Sequence, residues 1–276
     1  MIVFCTVAKS QSDTAEKKNS FKAGVQYISN QTYLGRTDSL QLPVITPSVN
    51  FTIHGGFYIK ASGYFNLSKN HKGFDGVSIE PGWEFSKNNL SGSISVDKNF
   101  ISDSSNLIIA PVKASAEFYL GYETKIVTPF IGSGYLFSKE GNDYFVYGGI
   151  SRSVTLTKAD KEPSVSIEPS FSLSGGTQQF YYSFLKTYAA NGRGKGRGRN
   201  SGSGSVPVTQ TIEEQSKKFA LLSAAFEMPI TFTENKIEFK IDPAWESPLN
   251  LVDNNGAGAQ QSKSYFYITV ELNYSF

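Results

Sequence analysis

The last twelve residues of the chain, Tyr265 to Phe276, alternate in hydropathy without a break. Phe266, Ile268, Val270, Leu272, Tyr274 and Phe276 fall on one side; Tyr265, Tyr267, Thr269, Glu271, Asn273 and Ser275 fall on the other. A period of two is that of a strand with one apolar and one polar face. Strands in water-soluble proteins usually run to about 5–6 residues, whereas a tilted strand crossing a bilayer needs about 9–11. The terminal segment has the longer reach. The same alternation recurs in 77–86 (Val77, Ile79, Pro81, Trp83 and Phe85 on the apolar side), in 165–174 (Val165, Ile167, Pro169, Phe171, Leu173) and in 237–246 (Ile237, Phe239, Ile241, Pro243, Trp245).

Twelve such strands are expected, near 20–30, 43–53, 57–68, 76–87, 90–99, 107–123, 126–138, 144–157, 164–174, 217–232, 235–246 and 264–276. Their connections sort by length. Short turns follow the even strands, at His54-Gly55-Gly56, Lys87-Asn88-Asn89, Glu123-Thr124-Lys125, 158–163 and Glu234-Asn235. Longer polar segments follow most odd strands, at 31–42, 69–75, 100–106, 175–216 and 247–263, with 139–143 a short exception. Turns at one end and loops at the other, with an even strand count, predict an all-β fold: a single closed antiparallel transmembrane β-barrel, an up-and-down meander of about 12 strands within a range of 10–14. Closure is what hydrocarbon demands, because a barrel leaves no unpaired backbone edge. The mean hydropathy of −0.26 is compatible with this, since only every second residue meets lipid. A charged fraction of 18% and an aromatic fraction of 14% suit an apolar outer band. Trp83, Trp245, Tyr274 and Phe276 near strand ends suit interfacial girdles.

Two features strain this pattern. Ile/Val-x-Pro recurs at 45–47, 79–81, 109–111, 127–129, 167–169 and 241–243, and proline removes a ladder hydrogen bond. Bulges or bends near the barrel rims are expected there. Arg152 falls in the lipid-facing phase of Val146, Ile150 and Val154, which requires a bulge or a side chain reaching to the headgroups.

The barrel is expected to occupy 20–276, after a periplasmic segment at 11–19 and a residual signal peptide at 1–10. That leader is an apolar run ending in Ala8-x-Ser10 before Gln11, with its basic leading region expected upstream of Met1. Cys5 is the single cysteine, so no disulfide framework exists within the chain.

The terminal strand, with Phe266, Ile268, Val270, Leu272 and Tyr274 alternating up to a final Phe276, resembles the assembly signal of bacterial outer-membrane β-barrel proteins. The Ile-Glu-Pro-x-aromatic strands and the Ser-Gln leader junction look most like uncharacterised barrels of Bacteroidota. The resemblance implies a Gram-negative outer-membrane location, contact with lipopolysaccharide and handling by the barrel-assembly machinery. It does not name a substrate, because such families include porins, small-solute channels, lipid-processing enzymes and partners of larger complexes.

The polar faces place Glu80, Glu84, Glu117, Glu168, Glu227, Glu238, Asp242 and Glu271 in the lumen, with Lys22, Lys60, Lys113 and Lys240. That acid excess predicts a mildly cation-favouring interior if the lumen is open, and a plug of mutual ion pairs if it is not. The segment 191–205 is glycine-rich and carries Arg193, Lys195, Arg197 and Arg199. Its wider loop, 186–218, holds seven bases and two acids, leaving 19 bases against 22 acids elsewhere. A flexible external loop is expected there, near anionic lipopolysaccharide or dipping into the lumen; a nucleic-acid-binding tail does not suit an exported barrel.

Catalytic, metal and cofactor sites are not expected. The two histidines, His54 and His71, fall at opposite ends of the barrel, and His71 with Asp75 or Ser68 is the sole fragment of a rim-located hydrolase. The leading expectation is a passive, porin-like channel for small polar solutes. The alternative is a closed structural or adhesin-like barrel that presents its loops to a partner.

Overall fold

The structure is a computed structural model that describes residues 19–33, 35–37, 42–68, 71–138, 141–157, 163–179, 217–250 and 263–276. Twelve antiparallel staves follow one another around a closed barrel. They are β1 (Ser20–Ile28), β2 (Val44–Thr52), β3 (Phe57–Ser68), β4 (His71–Lys87), β5 (Leu90–Ile101) and β6 (Val112–Tyr122). Then come β7 (Thr128–Ser138), β8 (Asp143–Ser151, resuming at Val154–Thr155), β9 (Ser164–Ile167, resuming at Ser170–Gly176) and β10 (Ala220–Glu227, resuming at Ile230–Glu234). The last two are β11 (Ile237–Pro248) and β12 (Tyr265–Ser275). Each pairs with its sequence neighbour, and β12 pairs with both β11 and β1. Register runs from Lys22↔Ser275 to Ile28↔Thr269 across the closing seam. All twelve expected strands are present.

The alternation decides which way each side chain points. Val49, Phe51, Ile59, Ile79, Ile94, Val96, Ile131, Val146, Phe171 and Leu272 are all exposed on the outer wall. An apolar exterior of this extent is what a bilayer accepts and water does not. Aromatic rings gather near both ends. At the short-turn end, Trp83 stacks on Phe85 at 5.1 Å and its Nε1 donates to the Gly55 carbonyl at 2.8 Å; Phe276 lies 5.1 Å from Phe21 and 4.9 Å from Tyr274. At the loop end Phe65 meets Phe74 at 5.2 Å and Tyr135 meets Phe137 at 4.8 Å, while Trp245 pairs in register with Phe226 and Phe266.

The proline repeat marks ladder interruptions, and most of them lie within the wall rather than at its rims. Pro47 faces a gap in β2–β3 pairing between Ile45↔Phe65 and Ser48↔Ser62. Pro81 faces one in β4–β5 between Ile79↔Lys98 and Gly82↔Ser95. Pro169 splits β9, and Pro243 sits opposite the break in β10, where its carbonyl accepts from Met228 N at 3.1 Å. Pro129 lies at the start of β7 and Pro111 just before β6. A residue without an N–H is tolerated where no ladder partner is required. Arg152 occupies the matching break in β8. Its backbone N–H donates to Pro169 O at 3.1 Å, and its guanidinium reaches the β6–β7 turn to donate to Ile126 O at 2.7 Å. The reach to the rim is thus realised without a bulge, since the register runs unshifted from Ser151↔Ser170 to Val154↔Ile167.

Two expected boundaries shift. The segment 71–75 continues β4, with His71 paired to Ser68, because the β3–β4 hairpin extends beyond its neighbours. Residues 107–111 do not start β6. They turn into the barrel, since their run of consecutive apolar side chains needs burial on every side, which a wall strand with a polar interior face cannot provide. The leader at 1–10, most of 11–19 and the basic residues Arg193, Lys195, Arg197 and Arg199 lie outside the described residues.

Candidate functional site: an acidic, aromatic lumen under an apolar seal

At its loop end the barrel interior is filled by the barrel's own loops. The β1–β2 loop makes a small hairpin, Thr32–Tyr33 against Arg36–Thr37. Asn30 ties its ends together: Leu42 N donates to Asn30 Oδ1 at 3.1 Å, and Asn30 Nδ2 donates to Thr37 Oγ1 at 3.0 Å. Gly35 turns the hairpin at φ 81°, a left-handed conformation that glycine tolerates. It presses on β10 so closely that a Cβ there would stand 2.9 Å from the Leu222 carbonyl oxygen. The β5–β6 loop folds in beside it, with Ala110 N donating to Leu107 O and Val112 N to Ile109 O, both at 2.9 Å. Gln31 joins the two loops, its Oε1 accepting from Ile108 N at 2.8 Å. Arg36 donates to Gln178 Oε1, and Gln178 Nε2 donates to Asn250 O at 3.1 Å, so loops after β1, β9 and β11 are latched together.

The result is an apolar seal. Tyr33, Ile108 and Leu222 pack on the inward-facing Val112, Leu136, Phe145 and Tyr147. Leu107, Ile109 and Ala110 pack on Ile28, Val44 and Ile101. Leu107 and Leu222 have no exposed surface at all. Each such side chain contributes about 1.5–3 kcal/mol relative to remaining exposed. Gly132 and Gly134 of β7 make room for the rings: a Cβ at these positions would fall within 2.1 Å of Tyr147 and 2.2 Å of Phe145.

Beneath the seal lies a cavity of about 140 Å³, and its described lining differs in character. Its charged groups are Glu80, Asp97, Glu117 and Glu271 against a single lysine, Lys60. Tyr58, Tyr64, Tyr119 and Tyr147 supply rings, and serines of β2–β6 supply hydroxyls. Tyr58 OH donates to Glu80 Oε1 at 2.7 Å, and Tyr64 OH lies 3.1 Å from Ser78 Oγ. A second polar cluster occupies the β11–β12–β1 wall. Lys22 Nζ stands 3.6 Å from Glu238 Oε1, and Lys240 Nζ stands 3.6 Å from Asp242 Oδ2. Asn273 Nδ2 donates to Glu238 at 3.0 Å and to Glu271 at 2.8 Å.

Of the residues singled out from the sequence, Glu80, Glu117, Glu271 and Lys60 meet at the cavity, and Lys22, Glu238, Lys240 and Asp242 form the adjoining cluster. Glu227 is opposite Ser170 and Ala244 in register, one strand from Asp242. Glu168 sits at the β9 break, accepting from Ser151 Oγ at 3.1 Å, and Glu84 holds the same phase as Glu80 toward the short-turn end. Lys113 is apart from the rest. It lies in a register shift at the loop end of β6, its Nζ 3.4 Å from Asp103. Sequence reasoning missed Asp97, although Ile94 and Val96 facing out place Ser95 and Asp97 inside. It also missed the inward tyrosines, because an aromatic ring is at home on either face of a membrane strand. Glu246, whose Oε2 accepts from Tyr265 OH at 2.6 Å, escaped notice in the same way. Among the described residues no group of three His, Cys, Asp or Glu side chains converges as a metal site.

No protein-family model and no curated protein sequence matches the chain. Solved structures of outer-membrane barrels do. A KdgM porin is 8% identical with a TM-score of 0.49, the match covering 92% of this chain and 99% of that one. A NanC porin is 11% identical with a TM-score of 0.47, covering 92% and 98%. An outer membrane channel from Pseudomonas putida F1 is 8% identical with a TM-score of 0.46, covering 95% and 97%. At identities this low, what the barrel does has to be argued from its own residues.

Proposed function

We propose that the protein is a porin-like channel of the Gram-negative outer membrane, passing small polar solutes through a cation-favouring lumen that its inward-folded loops hold closed at rest. The observation that carries this is the cavity: a hydrophilic interior with four carboxylates and one lysine in its described lining, inside a closed wall whose outer face is apolar. Fixed carboxylates in a narrow passage favour cations by sign. An apolar constriction above them can gate by excluding water until its side chains part. Export through the amino-terminal leader, assembly through the terminal strand and contact of the basic 186–218 loop with lipopolysaccharide complete the proposal.

Planar-bilayer recording tests it. Discrete conductance steps are expected, with reversal potentials in a KCl gradient displaced toward the potassium equilibrium value. The Glu80→Gln, Glu117→Gln double variant should bring the reversal potential toward zero. The seal favours a second reading, a permanently closed barrel that presents its loops to a partner. If neither the natural chain nor a variant with a loosened seal conducts, the channel reading fails and the closed one stands.

A further inference from the structure

We infer that the lumen cavity is a binding site for a single small hydroxylated organic cation, a primary ammonium carried on a polyol or sugar-sized frame. The inference rests on the channel reading for its biological setting and deepens it to a class of solute. Four features of the cavity converge on that chemistry.

Charge comes first. The described lining carries Glu80, Asp97, Glu117 and Glu271 with Lys60 alone opposing them, so the occupant that best balances the cavity is positive. The carboxylates come from three different staves on one side, β4, β5 and β6, and from β12 on the other; they surround a volume and do not converge on a point. That spacing suits an extended organic cation. The second feature is Asn99. It is 8% exposed, lines the cavity beside Asp97, and its Oδ1 has no hydrogen-bond partner. A buried carbonyl left without a donor is destabilising, and an N–H or O–H of a ligand would remove that cost. The third is the lining itself. Tyr58, Tyr64 and Tyr119 line it with rings of the kind that attract a cation, and Ser78, Ser95 and Ser115 line it with hydroxyls, which both donate and accept. The fourth is size. A volume of 140 Å³ is close to the roughly 150 Å³ that takes up a benzene-sized ring, so a single-ring frame is the scale that fits. The seal bounds the cavity on its outer side through Ile109, Val112, Leu136 and Phe145, so an occupant is held under an apolar roof.

Isothermal titration of the purified full-length barrel in detergent decides the matter, with glucosamine as probe and glucose as its neutral counterpart. Saturable binding of glucosamine is expected, with glucose at least tenfold weaker. Asp97→Asn with Glu117→Gln should weaken glucosamine at least tenfold, in protein whose folded state is verified by its heat-dependent mobility on gels. Equal binding of the two sugars, or glucosamine affinity unchanged in the double variant, overturns the inference. If glucosamine does not bind while the bilayer records cation-selective conductance, the site fails and the channel stands. If it binds as described while no conductance is ever seen, the site stands and the channel fails.

Discussion

Gly132 and Gly134 show how single residues make the interior possible. On an ordinary strand two glycines weaken the ladder and leave a hole. Here they sit under Tyr147 and Phe145, whose rings lie against the wall of β7 and stack on each other at 6.3 Å. Gly134→Val would put side-chain atoms where the Phe145 ring now lies, and Phe145, 1% exposed, could move only by disturbing the packing of the seal. The expected cost is about 1–3 kcal/mol of barrel stability, read as a lower urea midpoint for unfolding from lipid vesicles. Lys98 illustrates the opposite tolerance. It lies on the outer wall between Val96 and Phe100, its Nζ 6.0 Å from the Phe100 ring, and its long stem lets the ammonium leave the apolar band.

At the scale of the strand, neighbouring positions answer to different solvents. In β5, Ile94 is 53% exposed on the lipid face while Ser95 lines the cavity. Ile94→Lys is expected to cost about 2–4 kcal/mol if the residue lies near the bilayer midplane, and less toward an interface. Ser95→Lys, one residue on, should leave the urea midpoint near its starting value and move the reversal potential away from cations. The pair of measurements checks the register of the whole strand, because a slip of one residue would exchange the two outcomes. The broken staves follow a related logic. Pro169, Pro229 and the Arg152–Ser153 pair fall at breaks in adjacent strands β9, β10 and β8, so neighbouring ladders are interrupted together along one line across the wall.

At the scale of the molecule, the loops decide whether the barrel is a pipe or a stopper. Gln31 and Arg36 hold the seal by bridging to Ile108 and Gln178, and neither contributes a wall strand to the barrel. The Gln31→Ala, Arg36→Ala double variant should therefore fold into an intact barrel while conducting more often than the natural chain in planar bilayers. Unchanged open probability would mean that the apolar packing alone keeps the mouth shut. Net charge also resolves at this scale: a total of +2 conceals a basic loop at 186–218 and an acid-rich remainder, and four carboxylates of that remainder reach the described cavity.

Strand number, order, the lipid-facing phase and most of the lumen acids were legible in the sequence, because hydrocarbon outside and water inside imprint a period of two on every stave. Glu80, Glu117 and Glu271 could be placed inward from their neighbours alone. The seal could not. Leu107-Ile108-Ile109-Ala110 reads as the start of a strand when only one dimension is considered, and nothing local says that such a run turns into a barrel. The inward tyrosines share that ambiguity, since a ring satisfies either face. By itself the sequence determined the wall, since each strand residue chooses between two solvents on its own account. Only the tertiary structure decided the interior, because which loops enter, which side chains meet there and how much space they leave depend on contacts between residues far apart in the chain.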